Sequence, residues 1–395
     1  MPAFSETMRE ALRLTRTGAL RDATRVIRES LRGSPVSPTT THEGTFVPAS
    51  RNAQAAHRAS VPSPPLLLEP PPRSPDVEPE SRNADGVAPR PESRSADSGA
   101  TRPASPGRWV SSVYSNAAGT RAYKLWVPGN AGASPRPLIV MLHGCTQDAD
   151  DFARGTRMNE HAERQGCYVL YPIQDGSANP QRCWRWFEPA NQARGRGEPS
   201  IVAGMTAQLT GEYAIDAARI YVAGLSAGAA MAMVLAQTYP DVFAAVAVHS
   251  GLPLGAARDV PSAFAAMAGR SKTHAGNDAA RRGARAVPGI VIHGDADRTV
   301  APANGEAVTR QLRDAYEHGG AGTLLAKSTT APALTKSVFH TADGRLVIEQ
   351  WIVRNGGHAW SGGSGAGSYT DPTGPDASAR IVEFFLSHAL TRTAH

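Results

Sequence analysis

Ser226, a carboxylate at Asp295 or Asp297, and His358 follow one another in this 395-residue chain, each in a glycine-containing turn or loop after an apolar run. A serine hydroxyl is a poor nucleophile until a base takes its proton. An imidazole is such a base when a carboxylate orients it and stabilises its charged form, and acyl transfer is the chemistry that follows. The serine lies in Gly224-Leu225-Ser226-Ala227-Gly228, between a strand-like Arg219–Ala223 and a helix-like Ala229–Gln237. Strand, Gly-x-Ser-x-Gly and helix form a sharp turn that lifts one hydroxyl above the end of a sheet. Both glycines are steric requirements, because a side chain at either would collide with the strand and helix that pinch the turn. The pentapeptide alone is weak in a chain with 38 glycines, so partners in the right order must support it.

Three further loops supply those partners. His143-Gly144-Cys145-Thr146-Gln147 follows the apolar Pro137–Leu142. Acyl transfer needs two backbone N–H donors aimed at the developing oxyanion. Ala227, the residue after the nucleophile, gives one, and Cys145 gives the other, with Gly144 allowing close approach. His293-Gly294-Asp295-Ala296-Asp297 follows Gly289–Ile292 and offers two carboxylates. Spacing does not choose between them, since Asp295 can equally be a turn former. Asn355–Gly363 follows Val347–Val353 and places His358 where the base belongs. His249 ends its strand but precedes Asp297, His274 lies in a polar insertion, and His340 precedes the last strand, so they compete less well. The order Ser226, Asp297, His358 is that of α/β-hydrolases.

The elements that must position these loops are legible as alternation. Trp109–Ser115 and Arg121–Val127 read as an antiparallel pair about Ala118-Gly119. Strands are then expected at Pro137–Leu142, Tyr168–Tyr171, Arg219–Ala223, Val242–Val248, Gly289–Ile292 and Val347–Val353. Helices are expected at Phe152–Arg164, Ile201–Tyr213, Ala229–Gln237 and Ala377–Ala389. The pattern predicts an α/β fold with a mostly parallel, doubly wound sheet and its chemistry at the carboxyl ends of the strands.

Upstream of this region the texture differs. Residues 1–32 read as a helical hairpin, with Met8, Leu12, Ala19, Ala23, Ile27 and Leu31 at near-helical spacing and Thr17-Gly18 as the break. Such a hairpin docks on the catalytic domain or, as a basic amphipathic segment, on a surface or granule. Residues 33–107 are rich in Pro, Ser and Arg and cannot bury enough apolar surface to order, so they read as disordered linker. Residues 108–390, about 280 in all, are the size of one α/β enzyme domain. The net charge of +6 comes mostly from arginine, and no aromatic-interleaved basic groove accompanies it, so nucleic acid is not an expected partner. No run is long enough to span a membrane and no secretory signal is visible, which makes the cytoplasm the default compartment. Cys145, Cys167 and Cys183 lack metal-ligand spacing, so no metal or other cofactor is expected, although one bridge is possible.

The chain resembles the polyhydroxybutyrate depolymerase-type esterases, neighbours of feruloyl and acetylxylan esterases in the α/β-hydrolase superfamily. The motifs that carry the resemblance are Leu142–Gln147, Cys183-Trp184-Arg185-Trp186-Phe187, Gly224–Gly228, His293–Asp297 with Val300, and Gly357–Gly363. The resemblance implies Ser226 as nucleophile, His358 as base and Asp297 rather than Asp295 as the acid. It also implies a substrate pocket bordered by His143, Trp184, Trp186 and Trp360, although packing in the core is an alternative for Trp184 and Trp186. A Cys145–Cys183 bridge pinning the tryptophan loop to the oxyanion loop follows from the same likeness, and the 252–287 insertion would cap the site.

The expected activity is hydrolysis of hydroxyalkanoate esters, or of related short-chain or hydroxycinnamoyl esters. Soluble oligomers are expected over crystalline polymer, because no further domain follows Ala389. Rival readings are an acyltransferase on the same scaffold, a peptidase, and a non-catalytic binding protein working through its N-terminal helices.

Overall fold

The structure is a computed structural model that describes residues 106–270 and 285–391. The N-terminal hairpin, nearly all of the linker and residues 271–284 of the insertion lie outside the described residues.

Ten strands form one sheet: β1 (Arg108–Asn116), β2 (Gly119–Val127), β3 (Arg136–Leu142), β4 (Tyr168–Pro172), β5 (Ile215–Leu225), β6 (Ala245–His249), β7 (Gly289–Gly294), β8 (Leu325–Ala331), β9 (Leu334–His340) and β10 (Leu346–Val353). Their order is β1-β2-β4-β3-β5-β6-β7-β10-β9-β8. The six from β4 to β10 are mutually parallel, and antiparallel strands close both edges. The opening hairpin turns at Ala117-Ala118, one residue before the expected Ala118-Gly119, and closes on the Asn116–Gly119 pair.

Helices cover both faces. On one side pack α3 (Gly197–Glu212), α4 (Ala227–Thr238) and α6 (Ala303–Tyr316); on the other pack α1 (Ala149–Thr156), α2 (Met158–Gln165) and α7 (Ala377–Leu386). Strand β3 shows why. Leu138, Val140 and Leu142 join one apolar cluster while Ile139 and Met141 join the other, because successive strand residues point to opposite faces. A parallel strand buried on both faces therefore reads as a continuous apolar run. Helix α4 is so closely packed that Ala227 to Ala236 are all buried. Its small side chains let the helix after the elbow lie against β3, β5 and β6.

Three differences from the sequence reading have physical causes. The single helix expected over Phe152–Arg164 is two, because Arg157 adopts φ 53°, ψ 23° and ends α1 in the left-handed region. Helices usually stop there at glycine, so arginine left no signal. The hairpin β8–β9 was not expected. Strand β8 is exposed along its whole length, as an edge strand of polar residues carries no apolar alternation. A short parallel pair, β11 (Trp360–Ser361) with β12 (Thr370–Asp371), folds the segment after His358 back on itself.

Within the 252–287 insertion, helix α5 (Val260–Met267) is capped by Asp259, whose side chain accepts from Ser262 N–H while Ser262 Oγ accepts from Asp259 N–H. It is held to the start of α6. Asn304 Nδ2 donates to Ala266 O, and Ala301 N donates to Met267 O. Among the described residues no helix is long and apolar enough to cross a membrane.

Candidate active site

Strand β5 runs directly into Ser226, which adopts φ 58°, ψ −119°, and α4 begins at the next residue. A non-glycine residue with positive φ is strained and persists only where its surroundings fix it. The two flanking glycines supply that fixing. A Cβ on Gly224 would lie 2.4 Å from the carbonyl carbon of Gly228, and one on Gly228 would lie 2.1 Å from Leu142 O. Strand, turn and helix touch backbone to backbone at these points. Ser226 N donates to His249 O at 2.9 Å, which ties the elbow to the end of β6.

The loop after β7 sets its two carboxylates in different surroundings. Asp297 is buried: Oδ1 accepts from the backbone N–H of Thr299 and of Val300, each at 2.9 Å, and Oδ2 accepts from His358 Nδ1 at 2.8 Å. Burial disfavours its ionised form, but the donors from His293, His358 and Val300 win, and the carboxyl is held well below the usual carboxylate range. Asp295 is exposed and accepts from Asn355 N–H at 2.7 Å, which pins the loop carrying His358 from outside. Because Nδ1 of His358 donates to Asp297, its Nε2 is the nitrogen left to act as a base.

The Leu142–Gln147 segment turns across the elbow. A Cβ on Gly144 would sit 3.7 Å from Ser226 Cβ, so the loop approaches the serine closely. Gly144 N donates to Gln147 Oε1 at 3.0 Å, and Gln147 Nε2 donates to Asp151 and to Ser368 O, each at 3.0 Å. The amides of Cys145 and Ala227 donate to no other described residue, so both remain available to an oxyanion. Three tethers hold this loop to the tryptophan segment: Thr146 N donates to Gln181 O at 2.6 Å, and two more involve side chains. One is a Cys145–Cys183 disulfide. The other is a buried polar network. Gln174 N donates to His143 Nε2, Gln174 Nε2 donates to Cys183 O and to Glu198, and Glu198 Oε2 accepts from Arg185 N–H. Arg121 closes it with bonds to Gln174 and Glu198.

The expected pocket walls stand mostly inside the fold. His143 is buried with both ring nitrogens engaged: Nε2 accepts from Gln174 N–H, and Nδ1 donates to Gly144 O at 2.8 Å. Burial pushes its pKa down to about 4, so the ring is neutral and shapes the loop. Trp184 and Trp360 have 0% of their surface exposed. Trp184 packs near the His143 ring, and Trp360 donates to Ser378 Oγ and stacks on His249 with centroids 5.0 Å apart. For Trp184 this is the core packing left open above. Trp186 keeps a sliver of exposure and meets the half-buried Phe187 edge-on at 5.7 Å.

Sequence reasoning set His249 aside on chain order alone. In the structure its carbonyl holds Ser226 and its Nε2 accepts from Ser361 N–H at 3.0 Å, three residues past His358. Burial pushes its pKa down to about 3, which keeps Nε2 an acceptor. Gln174 and Glu198 also escaped notice, because partners such as His143 and Arg121 are remote in sequence. Among the described residues no group of three or more His, Cys, Asp or Glu side chains is placed to hold a metal ion.

Comparison with known proteins agrees with this architecture. The family model for Esterase PHB depolymerase matches residues 121–323, just over half of the chain. Poly(3-hydroxyalkanoate) depolymerase C of Paucimonas lemoignei is 35% identical over 266 residues, covering 66% of this chain and 63% of that protein. Poly(3-hydroxybutyrate) depolymerase of Ralstonia pickettii is 29% identical over 311 residues, covering 73% of this chain and 62% of that protein. This chain thus spans somewhat less than two thirds of those relatives' own lengths. An acetyl xylan esterase from Aspergillus awamori superposes with a TM-score of 0.51 at 21% identity, covering 68% of this chain and 94% of that one, which shows the shared α/β-hydrolase fold. With a family model matched over residues 121–323, from β2 through the Ser226 elbow and the Asp297 loop, the chain belongs to the PHB depolymerase family of esterases.

Proposed function

We propose that the protein is a serine carboxylester hydrolase in which Ser226 forms an acyl-enzyme. The observation that carries this reading is the 2.8 Å hydrogen bond from His358 Nδ1 to buried Asp297, in loops that follow the carboxyl ends of β10 and β7, parallel strands of the same sheet in which β5 runs into Ser226. His358 Nε2 takes the Ser226 proton as Oγ attacks the ester carbonyl, and the imidazolium is stabilised by Asp297. The oxyanion is held by the amides of Cys145 and Ala227, which preorganise donors where charge develops. His358 then gives its proton to the leaving alcohol, and an acyl ester on Ser226 remains. Water, deprotonated by His358, attacks that ester, and the acid leaves as Ser226 regains its proton.

The substrates proposed are hydroxyalkanoate esters, poly- or oligo-3-hydroxybutyrate, and related short-chain or hydroxycinnamoyl esters. The names of the two depolymerase relatives support this class. The insertion carrying α5, anchored at Ala301 and Asn304 beside the Asp297 loop, is proposed to border the alcohol or acyl site. Hydrolysis of 3-hydroxybutyrate oligomers and p-nitrophenyl esters by the full chain, with Ser226→Ala beside it, tests the reading. Loss of roughly 10⁴-fold or more in kcat with the fold retained is expected. Near wild-type turnover by Ser226→Ala would overturn it.

A further inference from the structure

We propose that His293 is a positioning residue for the Asp297–His358 pair, placing its Nε2 proton between Val300 and Asp297 and thereby setting how much of the carboxylate's charge His358 feels. The inference rests on the reading of Ser226, Asp297 and His358 above, and concerns a side chain that the reading leaves without a role.

His293 lies on β7, four residues before Asp297, and is buried. Its Nε2 is 2.9 Å from Val300 O and 3.4 Å from Asp297 Oδ2. A carbonyl only accepts, so Nε2 carries the proton, and the carboxylate oxygen that receives His358 lies 3.4 Å from that same nitrogen. The other nitrogen, Nδ1, is buried with no hydrogen-bond partner. A second proton there would be buried without an acceptor, so the ring has one arrangement that fits. Helix α6 closes over it: a Cβ on Gly305 would lie 2.9 Å from His293 Nδ1 and 3.0 Å from its Cβ.

Asp297 Oδ2 thus accepts the His358 N–H and has the polarised His293 N–H, given to Val300 O, 3.4 Å away. A donor on a carboxylate oxygen draws charge toward itself and leaves less for the other partner. The titratable groups meeting here are His249 from β6, Asp297 from the loop after β7, and His358 from the loop after β10. Asp295 and Arg298 on the same loop and Glu306 on α6 are exposed. Removing the His293 donor leaves Asp297 a stronger partner for the charged form of His358, so the base holds its proton to higher pH. A residue that merely fills space would not move that limb.

The test is kcat/KM against pH for the full chain on a soluble p-nitrophenyl ester, with His293→Phe, His293→Gln and Gly305→Ala, and circular dichroism for the fold. His293→Phe is expected to lower kcat about tenfold, leave KM within about twofold, and move the acid limb up by about half a pH unit or more. His293→Gln, which restores an N–H, is expected to return the limb toward wild type. Gly305→Ala, which displaces the ring without removing it, is expected to move the limb in the same direction by less. A folded His293→Phe with the wild-type acid limb, or His293→Gln as displaced as His293→Phe, overturns the inference. If His293→Phe does not fold, an unmoved limb in Gly305→Ala overturns it instead. Ser226→Ala in the same assay separates the two readings: activity retained there overturns the nucleophile assignment, while activity lost there with an unmoved limb overturns only the role of His293.

Discussion

His249 Nε2 accepts the Ser361 amide proton at 3.0 Å while the His249 carbonyl accepts that of Ser226 at 2.9 Å. One buried residue therefore spans the nucleophile elbow and the loop of the base, through its backbone on one side and its ring on the other. His249→Phe keeps the stacking volume against Trp360 but leaves the Ser361 N–H buried and unpaired. The expected result is a loss of about 1–3 kcal/mol in stability and roughly a tenfold fall in kcat, read by urea unfolding and steady-state kinetics. Unchanged values of both would show that the link does not position the site.

The elbow glycines are a matter of space. Gly228→Ala places a methyl 2.1 Å from Leu142 O and 2.5 Å from His143 O, both backbone atoms of the oxyanion segment. Activity should fall by about 10²-fold or more, with a clear drop in Tm, because the strand end must move. Gly211→Ala is the matched control, since its Cβ meets nothing within 4 Å in helix α3. It should gain about 0.5–1 kcal/mol from helix propensity and leave kcat unchanged.

The disulfide and the polar network that hold the Cys145 loop should be separable. The Cys145–Cys183 bridge has a sequence separation of 38. A loop of that order gives a stabilisation of about 3–4 kcal/mol on chain-entropy grounds. Cys183→Ser, or reduction under native conditions, should lower Tm and reduce kcat more than it changes KM, since the loop carries the Cys145 amide. Activity should persist at a reduced level because Gln174 and Glu198 still hold the segment. Complete inactivation would show that the polar network carries no share.

Acid should weaken the fold before it protonates any ordinary carboxylate. His143 and His249 have pKa values lowered from 6.5 to about 4 and about 3, both by burial. Unfolded, these rings take protons near 6.5; folded, they do not until far lower pH. The unfolded state thus binds more protons as pH falls below about 6.5, and stability drops by up to roughly 1.4 kcal/mol per group per pH unit. Asp297, lowered from 3.8, adds its own loss below that value. The urea midpoint should therefore fall steadily from pH 7 to pH 4. A flat midpoint over that interval would contradict the buried neutral histidines.

Much of the scaffold was legible because burial on both faces writes itself as apolar runs. Strands β3, β5, β7 and β10 and the loops at their ends were placed to within a few residues. Strand β8 was not, since its side chains are solvent-facing and follow no period. Residue identity did not distinguish wall from core. Trp360 is interior because Ser378 and His249 receive it, and both partners are far from it in sequence. The structural link made by His249 was not legible for the same reason: it bridges 112 positions to Ser361, and no local spacing encodes that. Chain order placed the candidate groups, and long-range hydrogen bonds gave their support.

The central claim is that Ser226 carries the acyl group. The full chain should be mixed with a p-nitrophenyl ester of 3-hydroxybutyrate, quenched in acid within the burst, and digested for peptide mass analysis. An acyl adduct is expected on the peptide containing Ser226, and none in Ser226→Ala. An adduct on another residue, or hydrolysis continuing at wild-type rate in Ser226→Ala, would contradict it.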